Sequence, residues 1–379
     1  MKIMVVMYSM MAGGAERVAA TLANHWATVG DELILVTITS SETDFYEVDR
    51  RITRIALGLS RPSRNWREFF SNNVQLVMRL RELMRRIKPD VVLSFIDVIN
   101  LRVLLAAFGT GIPVVIEEHT DPAQHSIGRI ARALRWLLYR RAHAVVVLTP
   151  GIAQWASRIV ARSAIHVIPN PIGDQFLPPC QLTGPTHGHK IVALGRLSPE
   201  KGFDLLLRAF AQSTFADPDW TLDIVGEGPE RDRLRALADD LGIADRVRLP
   251  GVVKDPEKVL RKAHLFVLSS RYEGFPMALL EAMACGLAVV SFDCRSGPRE
   301  MIQDGVNGLL VPPNDVDALA KAMARMIGAE DERKRLGERA VAVAEKFSLA
   351  KVTQMWRSVF DHAVSRRRRL SQAQILPVP

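Results

Sequence analysis

The sequence predicts an α/β protein with two doubly wound parallel sheets, one in each half of the chain. Short, almost continuously apolar segments such as KIMVVMYS and HLFVLSS alternate with longer segments whose apolar residues recur at helical spacing. This alternation is typical of parallel strands that helices cover on both faces. It stops once, in the proline- and glycine-rich segment PNPIGDQFLPPCQLTGPTHGHK, and then begins again. A length of 379 residues also favours two domains.

The first predicted domain comprises residues 1–172. Its expected strands are KIMVVMYS, ELILVTIT, DVVLSFI, PVVIEEH, AVVVLT and IHVIPN, and its helices include ERVAATLANHWATV and WREFFSNNVQLVMRLRELMRRI. The boundary lies near Ile172, because the segment that follows lacks periodicity and is dense in turn-forming residues.

The second predicted domain comprises residues 173–355. Its strands IVALGRL, TLDIVGEG, RVRLPGV, HLFVLSS and LAVVSF are separated by helices that begin near Phe203, Arg231, Pro256 and Pro276. Residues 356–379 are expected to form a terminal helix and a basic, disordered tail. Ligands of doubly wound domains bind at the carboxyl ends of the strands, so we expect an interdomain cleft that faces the hinge.

Composition excludes several classes of protein. The three cysteines form no C-x-x-C pair and no disulfide framework, which indicates a reducing compartment. Neither a signal peptide nor a membrane-spanning segment is predicted, since the most apolar candidate, VVLSFIDVINLRVLLAAF, contains Asp97 and Arg102. The protein is therefore expected to be cytosolic or peripheral to a membrane.

The net charge of +9 is concentrated in one segment. Residues 61–141 contain 14 basic and 7 acidic side chains, so an anionic partner is expected near them. Nucleic acid is not expected to be that partner, because few aromatic residues that could stack on bases are interleaved with the basic ones. The four arginines of residues 366–369 are expected to be solvated, with contact to anionic lipid as the alternative.

The loop RYEGF and the helix that follows it are predicted to form an anion site. The helix is expected to begin at Pro276, and its first backbone N–H groups have no partner within the helix. Glu273 lies in the loop and Glu281 lies on the second turn of the helix. Carboxylates accept hydrogen bonds strongly, so this pair beside an anion site suggests a ligand with both phosphate and sugar groups.

Two other loops between a strand and a helix could also bind anions. Gly13 and Gly14 allow close approach to the backbone, although the dinucleotide fingerprint G-x-G-x-x-G is absent, which argues against a dehydrogenase. In GRLSPEKGF, Arg196 and Lys201 flank the entry to a helix and could neutralise a diphosphate leaving group. A plain turn and two surface cations are the respective alternatives.

The segment EEHTDPAQH places four polar residues, Glu117, Glu118, His119 and His125, just after a strand. Their spacing matches no zinc signature, so no metal site is predicted. His119, at the end of the strand, is expected to contact substrate or to stabilise charge. We interpret His125 as a loop residue.

The motifs together resemble a known family. The sequences EGFPMALLEAMACG and GRLSPEKG, with GGAER, VGEGPER and GVNGLLVPP, are similar to landmarks of the retaining glycosyltransferases of family 4, which have the GT-B fold. The match is dense in the second half of the chain and covers only GGAER and EEHT in the first. The resemblance implies the family and the fold, and leaves the sugar open.

The resemblance also implies a role for each candidate residue. Glu273 would contact the donor hexose, Glu281 would accept hydrogen bonds from the ribose, and Arg196 with Lys201 would hold the diphosphate. His119 would lie near the hydroxymethyl group of the sugar and the reacting centre. The remaining donor-binding positions, which act mainly through the backbone, would be Gly14, Val253, Gly274, Phe275, Pro276, Met277 and Ala278.

The expected reaction is transfer of a hexose or N-acetylhexosamine from a UDP-sugar with retention, without a metal or other cofactor. The departing diphosphate oxygen would deprotonate the acceptor hydroxyl while Arg196 and Lys201 stabilise its charge. A glycosidase is disfavoured, because Glu273 and Glu281 are offset by a loop and a helical turn and do not flank a bond. Another donor such as GDP-mannose, or nucleotide-sugar binding without turnover, remains an alternative.

The acceptor is expected to bind the first domain. The basic segments WREFFSNNVQLVMRLRELMRRIK and GRIARALRWLLYRRAH are interpreted either as core-facing amphipathic helices or as helices on an anionic membrane surface. In the second segment, one apolar side is predicted from Ile127, Ile130, Leu134, Leu137 and Leu138. The resemblance to enzymes that extend polyprenyl-diphosphate-linked glycans favours the cytoplasmic face of the inner membrane and a lipid-linked glycan acceptor.

Overall fold

The computed structural model describes residues 1–60, 64–120, 122, 127–177, 189–214 and 217–373, and two compact units. The first unit contains Met1–Asn170 and the chain from Ala350 onward, and the second contains Pro171–Leu349. Each unit is a parallel sheet between helices, which confirms the predicted fold class.

The first unit has a sheet of seven parallel strands in the order β3-β2-β1-β4-β5-β6-β7. Its central strands are buried along almost their whole length, as the continuous apolar segments predicted. The strands are β1 Lys2–Met7, β2 Glu32–Thr37, β3 Thr53–Ala56, β4 Val91–Phe95, β5 Val114–Glu118, β6 Ala144–Val147 and β7 Ile165–Val167. The helices are α1 Gly14–Thr28, α2 Trp66–Ile87, α3 Asp97–Ala107, α4 Arg129–Leu138 and α5 Pro150–Ala156.

The second unit has a sheet of six parallel strands in the order β10-β9-β8-β11-β12-β13. The strands are β8 His189–Leu194, β9 Trp220–Val225, β10 Val247–Gly251, β11 Leu265–Leu268, β12 Ala288–Phe292 and β13 Leu309–Val311. The helices are α6 Phe203–Ser213, α7 Arg231–Asp240, α8 Pro256–Leu260, α9 Met277–Ala284, α10 Pro298–Met301, α11 Val316–Gly328, α12 Glu330–Ala340 and α13 Val343–Lys346. The strand order reverses between β8 and β11, so the loops after these two strands form the crevice typical of such sheets.

The end of the chain differs from the prediction of a separate terminal segment at residues 356–379. One continuous helix, α14 Leu349–Ala373, crosses the predicted boundary, and the chain from Ala350 belongs to the first unit. The reason is its apolar side, where the rings of Trp356 and Phe360 lie 6.2 Å and 5.2 Å from Trp26 of α1. The predicted disorder of the tail falls partly on residues 374–379, outside the described residues.

A histidine cluster lies at the amino end of the second sheet. The backbone N–H of Lys190 donates to Nδ1 of His264 at 3.1 Å, and the imidazole of His189 lies 4.9 Å from that of His264. Burial and, to a smaller extent, the charges of His189 and Arg333 together lower the pKa of His264 to about 4. The neutral ring is therefore part of the folded structure.

Acidification should destabilise the protein through His264. Between pH 6.5 and pH 4 the unfolded chain takes up a proton at this position and the folded chain does not, so stability is lost as the pH falls. In His264→Asn the amide oxygen can still accept from Lys190, but this group no longer titrates. Because the ring is only half-buried, we expect the variant to lose about 1 kcal/mol less than the wild type between pH 7 and pH 5. Urea unfolding at both pH values measures this, and equal losses in the two proteins would contradict it.

Candidate functional site

Two loops of the second unit meet at the crevice between β8 and β11. The hydroxyl of Ser269, just after β11, donates to the carbonyl oxygen of Lys201 at 2.9 Å, and the N–H of Arg271 donates to that of Glu200 at 2.8 Å. Gly202 has a φ of +62°, and a Cβ at this position would overlap the carbonyl oxygen of Ser269. A glycine is therefore required for the close approach of the two loops.

An ion pair holds the same loops together. The guanidinium of Arg271 donates to both carboxylate oxygens of Asp204 on α6, at 3.0 Å and 2.7 Å. Partial burial raises the pKa of Asp204, but the bonds from Arg271 outweigh burial and lower it overall. The bidentate geometry fixes the orientation of the loop that carries Glu273. Sequence reasoning missed this pair, which is 67 residues apart in the chain.

Glu273 and Lys201, two of the predicted catalytic residues, are in direct contact. The Glu273 side chain is 8% exposed, and its Oε1 accepts from Nζ of Lys201 at 2.7 Å and from Oγ of Ser270 at 2.6 Å. The ammonium offsets the cost of burying the carboxylate. Because an ammonium has three N–H donors, Lys201 can also donate to a second anionic group.

Arg196 differs from Lys201 in its surroundings. Its side chain is exposed, and it forms no ion pair with any residue that the structure describes. Its backbone is fixed on either side, because Gly195 N–H donates to Val225 at 3.0 Å and Leu197 N–H donates to Glu227 at 2.8 Å. The guanidinium is thus an available cation on a rigid loop.

Helix α9 begins one residue later than predicted. Pro276 is the N-cap, not the first helical residue, and the N–H groups of Leu279 and Leu280 both donate to its carbonyl oxygen. The segment SGPRE packs against this loop. Gly297 of that segment lies so close to Pro276 that a Cβ at position 297 would overlap the proline ring. The N–H groups of Met277 and Ala278 therefore lie at the start of a well-anchored helix.

The other predicted donor-binding residues of the second unit are mostly buried. Glu281 is 1% exposed on α9, and Phe275 packs with its ring 5.3 Å from that of Phe347. Gly274 accepts a bond from the Ser296 hydroxyl at 3.4 Å. Val253 is half-buried in the turn after β10. The roles predicted for these positions stay predictions.

A buried thiol lies near Glu273. Burial and, to a smaller extent, the Glu273 carboxylate together raise the pKa of Cys294 to about 12. Cys285 is also buried, and Cys180 lies outside the described residues. The two described cysteines therefore have the environment of small apolar side chains, as the sequence suggested.

In the first unit, the structure places Gly14 and His119 at the carboxyl ends of β1 and β5. Gly14 is the first residue of α1 and is exposed. The His119 side chain is 12% exposed, and its Nδ1 lies 3.2 Å from Oε1 of Glu117. His125 lies outside the described residues.

A buried polar network that sequence reasoning missed lies behind β5. Arg135 of α4 is 3% exposed and donates to Asp97 of α3 at 2.9 Å, and its Nε lies 3.6 Å from Oε1 of Glu118. The hydroxyl of Tyr139 donates to the same oxygen of Glu118. Burial raises the pKa of Glu118 to about 7, although Arg135 and Tyr139 lower it.

Part of the predicted apolar side of α4 faces outward. Ile130 is 80% exposed and Leu137 is 61% exposed, whereas Leu138 and Arg135 are buried. The predicted apolar side is therefore divided between the core and the surface, and so is the basic side, because Arg135 is buried whereas Arg129 and Arg132 are exposed. Helix α2 has a similar feature, because its first three turns bury nothing and expose Trp66, Phe69 and Phe70.

The described part of the chain shows neither a cluster of metal-binding side chains nor a helix that could span a membrane. No group of three or more histidine, cysteine, aspartate or glutamate residues in that part could hold a metal ion. None of its helices combines the length and the apolar character that a bilayer crossing requires.

Comparisons with known proteins relate the chain to glycosyltransferases. Residues 12–176 match the model "Glycosyltransferase Family 4", and residues 181–343 match the model "Glycosyl transferases group 1". The chain is 32% identical over 94% of its length to an exopolysaccharide phosphotransferase of Streptomyces coelicolor, but it spans only 40% of that protein.

Two further similarities extend over nearly the whole of both chains. An N-acetylgalactosamine-N,N'-diacetylbacillosaminyl-diphospho-undecaprenol 4-alpha-N-acetylgalactosaminyltransferase of Campylobacter jejuni is 29% identical, over 93% of this chain and 97% of the relative. The crystal structure of Anabaena HepE in complex with UDP has a TM-score of 0.75 at 20% identity, and the match covers 95% of this chain and 100% of HepE. At that identity the second likeness concerns the fold, which is GT-B.

Proposed function

Since the chain is a family-4 glycosyltransferase with the GT-B fold, we propose that it transfers a hexose or N-acetylhexosamine from a UDP-sugar to a lipid-diphosphate-linked glycan. The observation that carries the proposal is the buried Glu273 carboxylate, held by Lys201 at 2.7 Å beside the start of α9. A carboxylate can accept from sugar hydroxyl groups, while the cations and the helix N–H groups bind a diphosphate.

The donor is assigned from chemistry and similarity. Glu281, on the second turn of α9, is assigned to the ribose hydroxyls, and the backbone near Val253 to the base. The complex of HepE with UDP supports a uridine nucleotide. His119 of the first unit is assigned to the hydroxymethyl group of the sugar, and Gly14 to the diphosphate through its N–H group.

The reaction is proposed to proceed with retention on one face of the sugar. The acceptor oxygen forms a bond to the anomeric carbon as the bond from that carbon to the diphosphate breaks. The acceptor proton moves to the departing diphosphate oxygen, and nucleoside diphosphate is released. Arg196 and Lys201 stabilise the negative charge that develops on the leaving group.

Metal chelation should leave the transfer rate unchanged, because two side-chain cations are assigned to the leaving group. The rate with excess EDTA and the rate after adding back Mg²⁺ or Mn²⁺ are expected to agree within about twofold, since the charge is already compensated. A loss of turnover on chelation that a divalent metal restores would contradict this part of the proposal.

The acceptor is proposed to be presented at an anionic membrane surface that α2 and α4 contact. The outward apolar residues Ile130 and Leu137 are accompanied by the exposed arginines Arg129 and Arg132. Apolar side chains flanked by arginines are typical of helices that lie in the lipid interface. The lipid-linked substrate in the name of the Campylobacter relative supports the same location.

A basic cavity of about 870 Å³ along α2 supports an anionic acceptor group. Its lining includes Arg79, Arg81, Arg85 and Arg86, together with Met78. Arg79 is paired with Glu82, and Arg81 donates to the carbonyl oxygens of α3 and the residue after it. Arg85 and Arg86 are exposed and form no ion pair with a described residue, which leaves them available to phosphate groups.

The decisive experiment incubates the protein with a panel of UDP- and GDP-sugars and a short polyprenyl-diphosphate glycan, and follows transfer by mass. An increase of one hexose or N-acetylhexosamine from a UDP-sugar is expected. Transfer only from a GDP-sugar would replace the donor assignment. Binding of a nucleotide sugar without transfer to any acceptor would favour the non-catalytic alternative.

A further inference from the structure

Glu117 has an environment that stability does not explain. It lies on β5 with a side chain that is 1% exposed, and its Oε1 bonds Nδ1 of His119 at 3.2 Å. Its other oxygen, Oε2, is buried and has no hydrogen-bond partner among the described residues. A carboxylate buried with one donor costs stability, because desolvation is poorly compensated. Such a group points to a functional requirement.

The geometry assigns that requirement to His119. Side chains two residues apart along a strand lie on the same face, which brings Glu117 and His119 together. Glu118, between them, lies on the opposite face, where it accepts a hydrogen bond from Tyr139 and forms an ion pair with Arg135 at 3.6 Å. The two adjacent carboxylates therefore serve different partners.

The backbone that carries Glu117 is held firmly. β5 lies between β4 and β6, with Glu117 in register with Phe95 and Val146. The side-chain amide of Asn100 also donates to the carbonyl oxygen of Glu117 at 2.9 Å. The Glu117 carboxylate is thus an acceptor in a fixed position, and the tautomer of the His119 imidazole is expected to depend on it.

We propose that Glu117 is a positioning residue that holds His119 as the Nδ1–H tautomer, which makes Nε2 a hydrogen-bond acceptor. A carboxylate accepts only, so it selects the protonated Nδ1, and the lone pair then lies on Nε2. In this state Nε2 can accept from a hydroxyl group and cannot donate to a phosphate oxygen. The ligand class of His119 is therefore a sugar hydroxyl, a statement that rests on the proposed function.

The tautomer can be measured without substrate, by ¹⁵N NMR of histidine-labelled protein at pH 8, with His119→Gln used to identify the resonances. We expect a protonated Nδ1 in the wild type and in Glu117→Gln, whose amide oxygen can still accept. Glu117→Met has similar length and no acceptor, so His119 should change to the Nε2–H form. Glu118→Gln, on the opposite face, should leave the tautomer unchanged.

Activity and stability complete the test. Glu117→Met should lower kcat/KM about tenfold, as orienting residues around a histidine commonly do, with a melting temperature no lower than the wild type. Glu117→Gln should retain most of the activity. An Nε2–H tautomer in the wild type, an unchanged tautomer in Glu117→Met, or a loss of activity that follows a loss of stability would each overturn the proposal. Absence of transfer from every nucleotide sugar would refute the proposed function and leave the tautomer result standing.

Discussion

Glu273→Gln is expected to lower kcat/KM for transfer by at least about 100-fold, because it replaces a charged acceptor at the reacting sugar by a weaker neutral one. The substitution preserves size, and the amide oxygen can still accept from Ser270 and Lys201. Lys201 loses its counter-charge, so its ammonium is left in a partly buried site. We therefore expect a moderate loss of stability along with the loss of turnover.

UDP binding distinguishes the roles of the two glutamates. UDP has no hexose, so Glu273→Gln should change its Kd by less than about threefold, which is under 1 kcal/mol. Glu281→Gln should weaken UDP binding about tenfold or more, because a charged acceptor of the ribose hydroxyls is lost. Calorimetric titration of both variants with UDP measures this difference.

A matched control is available on the surface of the same unit. Glu338→Gln on α12 removes the same charge from an exposed position and should change neither turnover nor UDP affinity. Full activity in Glu273→Gln would overturn its assignment. Equal loss of UDP affinity in Glu273→Gln and Glu281→Gln would show that the division between sugar and ribose is wrong.

The fold and the position of the site could be predicted because both leave local patterns. Parallel strands buried on two faces appear as continuous apolar segments, and the change of unit is marked by prolines and glycines before Lys190. The loops that contain Lys201 and Glu273 follow two such strands directly. Since carboxyl ends of parallel strands meet at one edge, their contact follows from the topology.

The contacts that hold the loops and helices of the site in place could not be predicted, because they join residues that are far apart in the chain. Arg271 and Asp204 have no pattern that relates them before the sheet is formed. Helical periodicity identified an apolar side of α4, but it does not state which side faces the core. The buried position of Arg135, between Asp97 and Glu118, decides that orientation.

Acidic substitutions on the outward side of α4 should strongly weaken binding to anionic membranes. Ile130→Glu with Leu137→Glu replaces two side chains that are 80% and 61% exposed, so the fold should be unaffected. Complete burial of such a side chain in lipid contributes about 1.5–3 kcal/mol. Since both side chains are expected to be partly buried in the lipid interface, the double variant should partition onto vesicles at least about tenfold less than the wild type. Cosedimentation with vesicles of phosphatidylglycerol at low salt measures it. Neutral phosphatidylcholine vesicles should bind the wild type weakly, and salt should weaken binding to anionic ones.

A control with the same charge separates the surface from general repulsion. Val29→Glu with Met355→Glu adds two carboxylates at exposed apolar positions of the first unit and should bind vesicles almost as the wild type does. The α4 variant should still glycosylate a short, water-soluble acceptor at the wild-type rate, because neither Ile130 nor Leu137 is assigned to the donor or to the reacting centre. If the α4 variant and the wild type bind anionic vesicles equally, the outward side of α4 does not contact lipid. Its apolar residues would then require a different partner, and the basic cavity along α2 would be the remaining support for an anionic acceptor.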